Sequence, residues 1–247
     1  MLGIAWLAGR RRLVELRQPP LVWLHGVGGL FGFHALYFAS LARAPAATAN
    51  LINYTWPLLL VLLSAAILRM RLTWRHTLGT ALALAGCVAL LGGKAAFPAG
   101  AMAGYSLAAA SAVVWATYSV LARRFAIVPS GAVAGFCGVT ALLAAVLHGI
   151  TGIWVMPSPA AWLAIVALGV GPVGVAFVLW DVGMKRGDPR LLGTLAFATP
   201  VLSTLLLTAA GLTPFTATTV LASVLVAIGG YIASSGGFQK GLSSRSM

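Results

Sequence analysis

The stretch ANLINYTWP, Ala49–Pro57, leads directly into the apolar run Leu58–Ala66. Two asparagines, a tyrosine, a tryptophan and a proline therefore stand at the start of a segment that is apolar enough to cross a bilayer. Polar groups in hydrocarbon cost free energy unless they find partners. A membrane protein that keeps such groups packs them inward or uses them on a ligand, so this segment is the first candidate for a functional element.

The composition of the chain is that of a polytopic membrane protein. Of its 247 residues, 60% are hydrophobic and 8% are charged, whereas a soluble domain is about 25% charged. Sixteen Lys and Arg residues against three Asp and Glu residues give a net charge of +13, which on a soluble protein would suggest nucleic-acid binding. Here the basic residues form short clusters between apolar runs, so membrane topology explains them and no nucleic-acid partner is expected.

The number of membrane spans follows from the length of the apolar runs. A spanning helix needs about 20 mostly apolar residues, and Met1–Gly9 is too short to qualify. The connections between the longer runs carry Pro, Gly and charge, as helix ends do. The sequence predicts eight spans, at residues 21–42, 47–68, 76–93, 101–122, 131–149, 160–184, 190–210 and 215–235.

Lys and Arg are abundant in every second connection along the chain. If alternate connections face the same side of the membrane, fourteen of the sixteen Lys and Arg residues lie on one side. Only Arg43 and Lys94 lie on the other side. Cytoplasmic loops are enriched in Lys and Arg, so the sequence predicts that the C-terminal tail and the loop Arg10–Pro20 are cytoplasmic.

The second part of the chain repeats the first at an offset of 143 residues. Pro57 falls on Pro200, so that NLINYTWP aligns with GTLAFATP, and Gly86 falls on Gly229. The offset shifts the pattern by five spans, an odd number, so the second copy is expected to be inverted relative to the first. Inverted repeats are typical of transporters whose substrate sites lie near the membrane midplane between the two halves.

The repeat divides the chain into two predicted domains, residues 1–99 and residues 100–247. The second copy has five spans, whereas the first has three full spans and the short apolar remnant Met1–Gly9. By symmetry, one whole helix and most of another would precede Met1. We therefore expect that this sequence starts late within a longer natural one.

Ala46–Arg71 has the order of features seen near the fourth helix of EamA-type repeats: a small-residue stretch, a proline, an apolar run and a short basic loop. The whole chain resembles the drug/metabolite transporter superfamily of this type, which has ten helices in two inverted five-helix repeats. It is most similar to the YddG type, because Ala35–Phe38, Ala44–Ala46 and Ala49–Leu59 resemble the segments ALYF, APA and ANLINYLWPLL of those proteins.

The resemblance implies an all-α membrane protein that exports aromatic amino acids and related small metabolites by alternating access. YddG-type proteins move Phe, Trp and Tyr out of the bacterial cytoplasm, so the expected location is the bacterial inner membrane. The expected partners are a small-molecule substrate and the lipid bilayer, without a cofactor or a metal ion. The expected assembly is a monomer.

Polar and aromatic residues recur at helical spacing in several spans, so they share faces. Around a central cavity they would stack on an aromatic side chain, at about 0.5–1.5 kcal/mol beyond burial. Asn50 and Asn53 would then bind the carboxylate or the ammonium group of the substrate without carrying a charge. The alternative is that the aromatic rings form an interfacial belt and that the asparagines bridge helices. The candidate substrate-binding residues are His34, Tyr37, Asn50, Asn53, Tyr54, Trp56, Trp115, Tyr118, Phe177 and Trp180.

Two prolines occupy equivalent places in the two repeats. Pro57 and Pro200 each remove a backbone donor and can kink a helix, which membrane helices tolerate where a cavity or other groups satisfy the freed carbonyl. We interpret the pair as hinge points for alternating access. A static kink is the alternative.

Asp181 is the only acidic residue within a predicted span. A carboxylate inside a membrane is a candidate for proton coupling. Lys185, however, follows four residues later, at the spacing of a helical ion pair, so a structural role is the alternative. The scarcity of membrane carboxylates favours facilitated diffusion over proton coupling.

Other functions remain open. The nearest alternative is an exporter with the same fold that transports a different amino acid, an amine or a drug. A membrane-embedded enzyme would be favoured by clustered carboxylates or histidines at one membrane face, which the sequence lacks. A non-transporting scaffold subunit would not need the polar and aromatic residues of Ala49–Pro57.

Overall fold

The computed structural model describes residues 14–93, 95–152 and 155–235. Within these ranges every regular element is helical. The remnant Met1–Gly9 and the basic residues of the tail, whose side of the membrane the sequence predicts, lie outside the described residues.

The described residues form eleven α-helices, numbered here in chain order. Three-residue 3₁₀ turns at Val14–Leu16, Ala99–Ala101 and Arg123–Phe125 and a π-helical turn at Gly171–Val175 complete the helical structure. The α-helices are α1 Pro20–Leu41, α2 Ala46–Asn53, α3 Trp56–Leu68, α4 Trp74–Gly92, α5 Met102–Ala122, α6 Ala132–Thr151, α7 Pro159–Val170, α8 Ala176–Arg186, α9 Pro189–Ala196, α10 Ala198–Ala209 and α11 Ala217–Ser234.

Eight helical segments of the described residues are long and apolar enough to cross a membrane, as the sequence predicts. Each lies within a few residues of its predicted range. Large apolar side chains such as Leu142 and Leu163 are exposed, which is the pattern expected of surfaces that face hydrocarbon. The spans are Pro20–Leu41, Ala46–Leu68, Trp74–Gly92, Ala99–Phe125, Ala132–Thr151, Pro159–Arg186, Pro189–Ala209 and Ala217–Ser234.

Two of these spans are interrupted instead of continuous. In the second span, α2 ends at Asn53 and α3 begins at Trp56; in the seventh, a single residue, Phe197, separates α9 from α10. Pro57 and Pro200 lie in the first turn of the helix that follows each break, where a missing backbone N–H costs little. Both prolines are buried, so the breaks lie inside the protein.

The described residues form two compact units. The first comprises those of Met1–Ala35 and Leu121–Gly187, and the second comprises those of Leu36–Val120 and Asp188–Met247. The predicted domains, residues 1–99 and 100–247, follow the sequence repeat instead of these contacts, and they stay a prediction.

In the second unit, α4 packs along α11 with small residues at the contact. Gly79 lies against the backbone of Gly229, and Gly86 lies against the backbone carbonyl of Ala222. A Cβ atom at Gly79 would collide with the Gly229 carbonyl, so the close approach there depends on glycine, whereas a Cβ atom at Gly86 would crowd the Ala222 carbonyl at 3.0 Å. The buried cluster beside this contact consists of Ala83, Cys87, Phe197, Val201, Ala222 and Val226.

In the first unit, aromatic rings and glycines pack around the start of α1. The Trp23 ring meets Phe136 edge-on, with centroids 5.1 Å apart. Gly26 lies against Phe136, and Gly135 lies against Trp23, so each ring occupies the space that a side chain would need. Arg123 donates a hydrogen bond to the Gly187 carbonyl and so joins two connections of the same unit.

Candidate functional site

The second unit brings several of the predicted substrate-binding residues together around the break in the second span. Asn50 and Asn53 lie three residues apart on α2, so they share a face. The Tyr37 hydroxyl group, near the end of α1, donates a hydrogen bond of 3.1 Å to Asn50 Oδ1. The pairing joins an aromatic residue of one span to an amide of the next.

Asn53 has a partner that the sequence did not predict. Its side chain is 5% exposed, and Nδ2 donates a 2.7 Å hydrogen bond to Ser111 Oγ on α5. Ser111 is fully buried and donates its own proton to the Ala108 carbonyl at 2.7 Å. The one signal in the sequence was a serine within an alanine-rich span, one turn before Trp115, and such serines are common packing residues.

Three predicted aromatic residues form a cluster in the second unit. The rings of Trp56 and Trp115 are perpendicular, with centroids 6.2 Å apart. Tyr118 continues the cluster, 5.4 Å from Trp115 and tilted by 36°. Trp115 is 7% exposed and Trp56 is half-buried, so Trp56 is the member with surface left for a ligand.

Tyr54 lies in the break itself, between α2 and α3. It is partly buried and packs against the cluster that contains Cys87 and Phe197. Tyr54 is thus held beside a cluster that includes Phe197, the residue that interrupts the seventh span.

The first unit contains the remaining predicted residues, His34, Phe177 and Trp180. The His34 ring lies 5.8 Å from the Phe177 ring, and its Nδ1 atom is 2.7 Å from the Leu30 carbonyl oxygen. Trp180 is half-buried, three residues after Phe177 on α8. His34 and Phe177 thus form an aromatic contact within the first unit.

Asp181 is buried in the first unit and paired with Lys185. The Lys185 Nζ atom lies 2.7 Å from Asp181 Oδ2, one helical turn away. Lys185 also donates a 2.8 Å hydrogen bond to the Val128 carbonyl. The ion pair has the spacing that the sequence predicts, and it ties α8 to the connection after α5.

The loop before α9 contains an ion pair that sequence analysis missed. Asp188 caps α9 by accepting a hydrogen bond from the Arg190 backbone N–H, and it also binds the Arg190 guanidinium group at 2.6 Å. Arg190 donates a further hydrogen bond to the Arg71 carbonyl. Burial alone would raise the pKa of Asp188, but the hydrogen bonds and charge of Arg190 outweigh it and hold this pKa below its usual value.

Eight apolar spans, two interrupted helices and a polar and aromatic cluster at one of the breaks define a multi-pass membrane protein of the transporter class. The chain belongs to the EamA-like transporter family, whose profile matches residues 1–92 and 102–235. The resemblance found in the sequence is thereby confirmed.

Known relatives cover most of the chain. It is 51% identical to the aromatic amino acid exporter YddG of Ancylobacter novellus over 93% of this chain and 81% of that protein. It is 25% identical to the aromatic amino acid exporter YddG of Salmonella typhimurium over 78% of this chain and 70% of that protein. The probable terminal-alkyne amino-acid exporter of Streptantibioticus cattleyicolor is 31% identical over 71% of this chain and 59% of that protein.

A solved crystal structure has the same fold. It superposes with a TM-score of 0.88 at 50% sequence identity, over 94% of this chain and 82% of the other. The helical arrangement described above is therefore also that of an experimentally determined relative.

Proposed function

We propose that this protein exports aromatic amino acids across the bacterial inner membrane, with Trp56 binding the aromatic side chain of the substrate and the buried rings of Trp115 and Tyr118 holding Trp56 in place. The observation that carries the proposal is the ring cluster beside the break in the second span. Aromatic pairs contribute about 0.5–1.5 kcal/mol beyond burial and are most favourable in perpendicular or offset geometry. Two relatives that carry the name aromatic amino acid exporter support the same substrate class.

The polar part of this site has no ionisable acid. No Asp or Glu occurs between Leu36 and Val120, so the amides of Asn50 and Asn53 recognise the head group without a formal charge. An exporter has to release its substrate as well as bind it, and neutral hydrogen bonds are weaker than charge-assisted ones. The amide pair therefore suits transport better than tight binding.

Alternating access between two inverted halves is the proposed mechanism. The helix boundaries support it, because the offset of 143 residues that relates the sequence repeats also relates α2, Ala46–Asn53, to α9, Pro189–Ala196. The same offset relates Tyr54 to Phe197, the residues at the two breaks. Interrupted helices at equivalent places in two repeats are typical of transporter binding sites.

The glycine contacts between α4 and α11 also support an inverted repeat. The sequence offset maps Gly79 onto Ala222 and Gly86 onto Gly229. It therefore exchanges the Gly79–Gly229 contact with the Gly86–Ala222 contact, as a two-fold relation between the helices requires.

Pro57 and Pro200 are proposed as the hinges of the two halves, since the same offset relates them.

Transport is proposed to be facilitated diffusion, because Asp181 is held in an ion pair with Lys185. A pH gradient across a liposome membrane tests this point. Strong dependence of the uptake on the gradient, lost in Asp181→Asn, would show proton coupling instead.

The experiment that tests the substrate class is uptake of radiolabelled phenylalanine and tryptophan into proteoliposomes. Saturable uptake that other aromatic amino acids inhibit is expected. Trp56→Ala should raise KM by about tenfold or more, since a well-packed tryptophan contributes about 2 kcal/mol or more to binding. Trp74→Ala is the matched control, because Trp74 is 66% exposed and stands outside the cluster.

A second candidate is export of non-aromatic amino acids. The observation in its favour is the relative from Streptantibioticus cattleyicolor, which is named a probable terminal-alkyne amino-acid exporter. If folded protein takes up leucine or another aliphatic amino acid but neither phenylalanine nor tryptophan, this candidate replaces aromatic export. If it takes up no amino acid, transport of this class is excluded.

The proposal includes that the protein is a monomer without enzymatic activity and that its C-terminal tail is cytoplasmic. Cysteine-scanning of the tail with a membrane-impermeant reagent tests the orientation in intact cells. Labelling from outside the cell would reverse the assignment based on Lys and Arg.

A further inference from the structure

Two carboxamide groups lie on one face of α2, immediately before the helix breaks. Asn50 and Asn53 are separated by about 4.5 Å along the axis of an α-helix, so their side chains are neighbours. A carboxamide has a donor end, the NH₂ group, and an acceptor end, the carbonyl oxygen. The partner that holds one end decides which end is offered to a ligand.

Ser111 determines the orientation of Asn53. A serine has one hydroxyl proton, and Ser111 donates it to the Ala108 carbonyl. The lone pairs of Ser111 Oγ therefore face Asn53, and only the Asn53 NH₂ group can complete their 2.7 Å contact. Within the part of the chain that the structure describes, Asn53 Oδ1 accepts no hydrogen bond, so Asn53 offers an acceptor.

Tyr37 gives Asn50 the opposite orientation. The Tyr37 hydroxyl group donates to Asn50 Oδ1, which occupies the acceptor end of that amide. The Asn50 NH₂ group, with two N–H donors, is the end offered to a ligand. Neighbouring amides on one helix face thus present a donor and an acceptor.

The end of α2 adds an electrostatic preference at Asn53. The C-terminus of a helix carries a partial negative charge from its last carbonyl groups, which favours a cation nearby. Asn53 is the last residue of α2. A cationic group next to its Oδ1 atom would meet the negative end of the amide dipole and the last carbonyl groups of α2.

We propose that Asn50 and Asn53 together bind the head group of a zwitterionic α-amino acid, Asn50 donating to the α-carboxylate and Asn53 accepting from the α-ammonium group. This inference rests on the transport function proposed above and names the chemistry of the substrate's polar end. Tyr37 and Ser111 are positioning residues that keep the two amides in opposite orientations. An amine leaves the Asn50 donors without a partner, and a carboxylic acid leaves Asn53 Oδ1 without one.

The test compares phenylalanine with two analogues that each lack one charge. Phenethylamine has no carboxylate, and 3-phenylpropionate has no ammonium group. Each competes with labelled phenylalanine uptake in proteoliposomes, and binding is checked by thermal shift of the purified full chain. Wild-type protein should prefer phenylalanine over each analogue by about tenfold or more, the factor expected for one hydrogen bond to a charged group.

Two variants should change the preferences crosswise. Ser111→Ala releases Asn53 and should weaken the binding of phenylalanine and phenethylamine by about fivefold to tenfold. The binding of 3-phenylpropionate should not change. Asn50→Ala should weaken phenylalanine and 3-phenylpropionate, with phenethylamine unchanged. Ser106→Ala is the matched control for Ser111→Ala, because Ser106 is an exposed serine of the same helix whose hydroxyl group also bonds a carbonyl of that helix.

If Ser111 and Asn50 had only a structural role, each substitution would weaken the binding of all three compounds together, and that result would overturn the inference. Equal binding of the three compounds by wild-type protein would also overturn it, although phenylalanine uptake would leave the proposed function intact. If leucine replaces phenylalanine as the substrate and leucine analogues give the crosswise pattern, the head-group inference stands and aromatic export fails. If no amino acid binds, both fail.

Discussion

The ammonium nitrogen of Lys185 lies 2.7 Å from a carboxylate oxygen of Asp181, and the two side chains are 8% and 6% exposed. Removing one partner of a buried pair leaves the other charge uncompensated, which costs about 3–5 kcal/mol. Replacing both partners with apolar residues of similar volume is often nearly neutral. The pair therefore permits a test of structural necessity that is separate from transport.

Asp181→Asn should lower the thermal stability of the protein in detergent markedly, because the buried Lys185 loses the partner of its ion pair. The double variant Asp181→Leu with Lys185→Met should recover most of that loss. Thermal unfolding followed by intrinsic fluorescence measures both. A double variant as unstable as the single one would mean that the pair itself, and not the uncompensated charge, is what the fold requires.

Gly79→Ala should destabilise the contact between α4 and α11. Its new methyl group would collide with the backbone carbonyl of Gly229, and overpacking of this kind costs about 1–3 kcal/mol. Gly28→Ala is the control, because a methyl group there would meet nothing within 4 Å. That control should be neutral or stabilising by up to ~1 kcal/mol from helix propensity. Equal unfolding temperatures for the two variants would contradict the close approach.

The Thr80 and Thr194 hydroxyl groups should couple energetically. They are buried and 2.9 Å apart, on α4 and α9. A double-mutant cycle with Thr80→Val and Thr194→Val should give a coupling of about 0.6 kcal/mol, the average for hydrogen bonds between membrane helices. The measurement is unfolding free energy in mixed detergent. Strictly additive effects would show that the contact contributes nothing to stability.

Asp188 should stabilise the protein only while its carboxylate is ionised. Its pKa is lower in the folded protein than in the unfolded chain, so its contribution is complete at neutral pH and is lost as the pH falls below about 4. Asp188→Asn keeps the helix cap but removes the charge, and the loss at pH 7 should be below about 1 kcal/mol for this partly exposed pair. The difference in unfolding temperature between wild type and variant should shrink as the pH falls; a difference that does not change with pH would show that the effect does not depend on the charge of Asp188.

Much of the fold is local in origin, and the sequence predicts that part well. A membrane span depends on its own run of about 20 apolar residues, so all eight spans could be located from hydropathy and loop composition. The Asp181–Lys185 pair was also predictable, since its partners are one helical turn apart. The family motif of Ala49–Pro57 was recognisable as well, because its residues are contiguous in the sequence.

The sequence did not locate the exact helix breaks. Pro57 and Pro200 signalled that each helix would be disturbed, but hydropathy runs unbroken through both spans. The position of the interruption depends on which backbone groups the neighbouring helices can satisfy, and that is a property of packing.

Contacts between distant parts of the chain complete the candidate site. Asn53 and Ser111 are 58 residues apart, and nothing in either segment names the other as its partner. Apolarity and helical periodicity depend on neighbours in sequence, so the sequence alone determines the membrane class, the spans and the residue types available for binding. Hydrogen-bond partners depend on interhelical distance, so only the tertiary structure decides which amide offers a donor and which an acceptor.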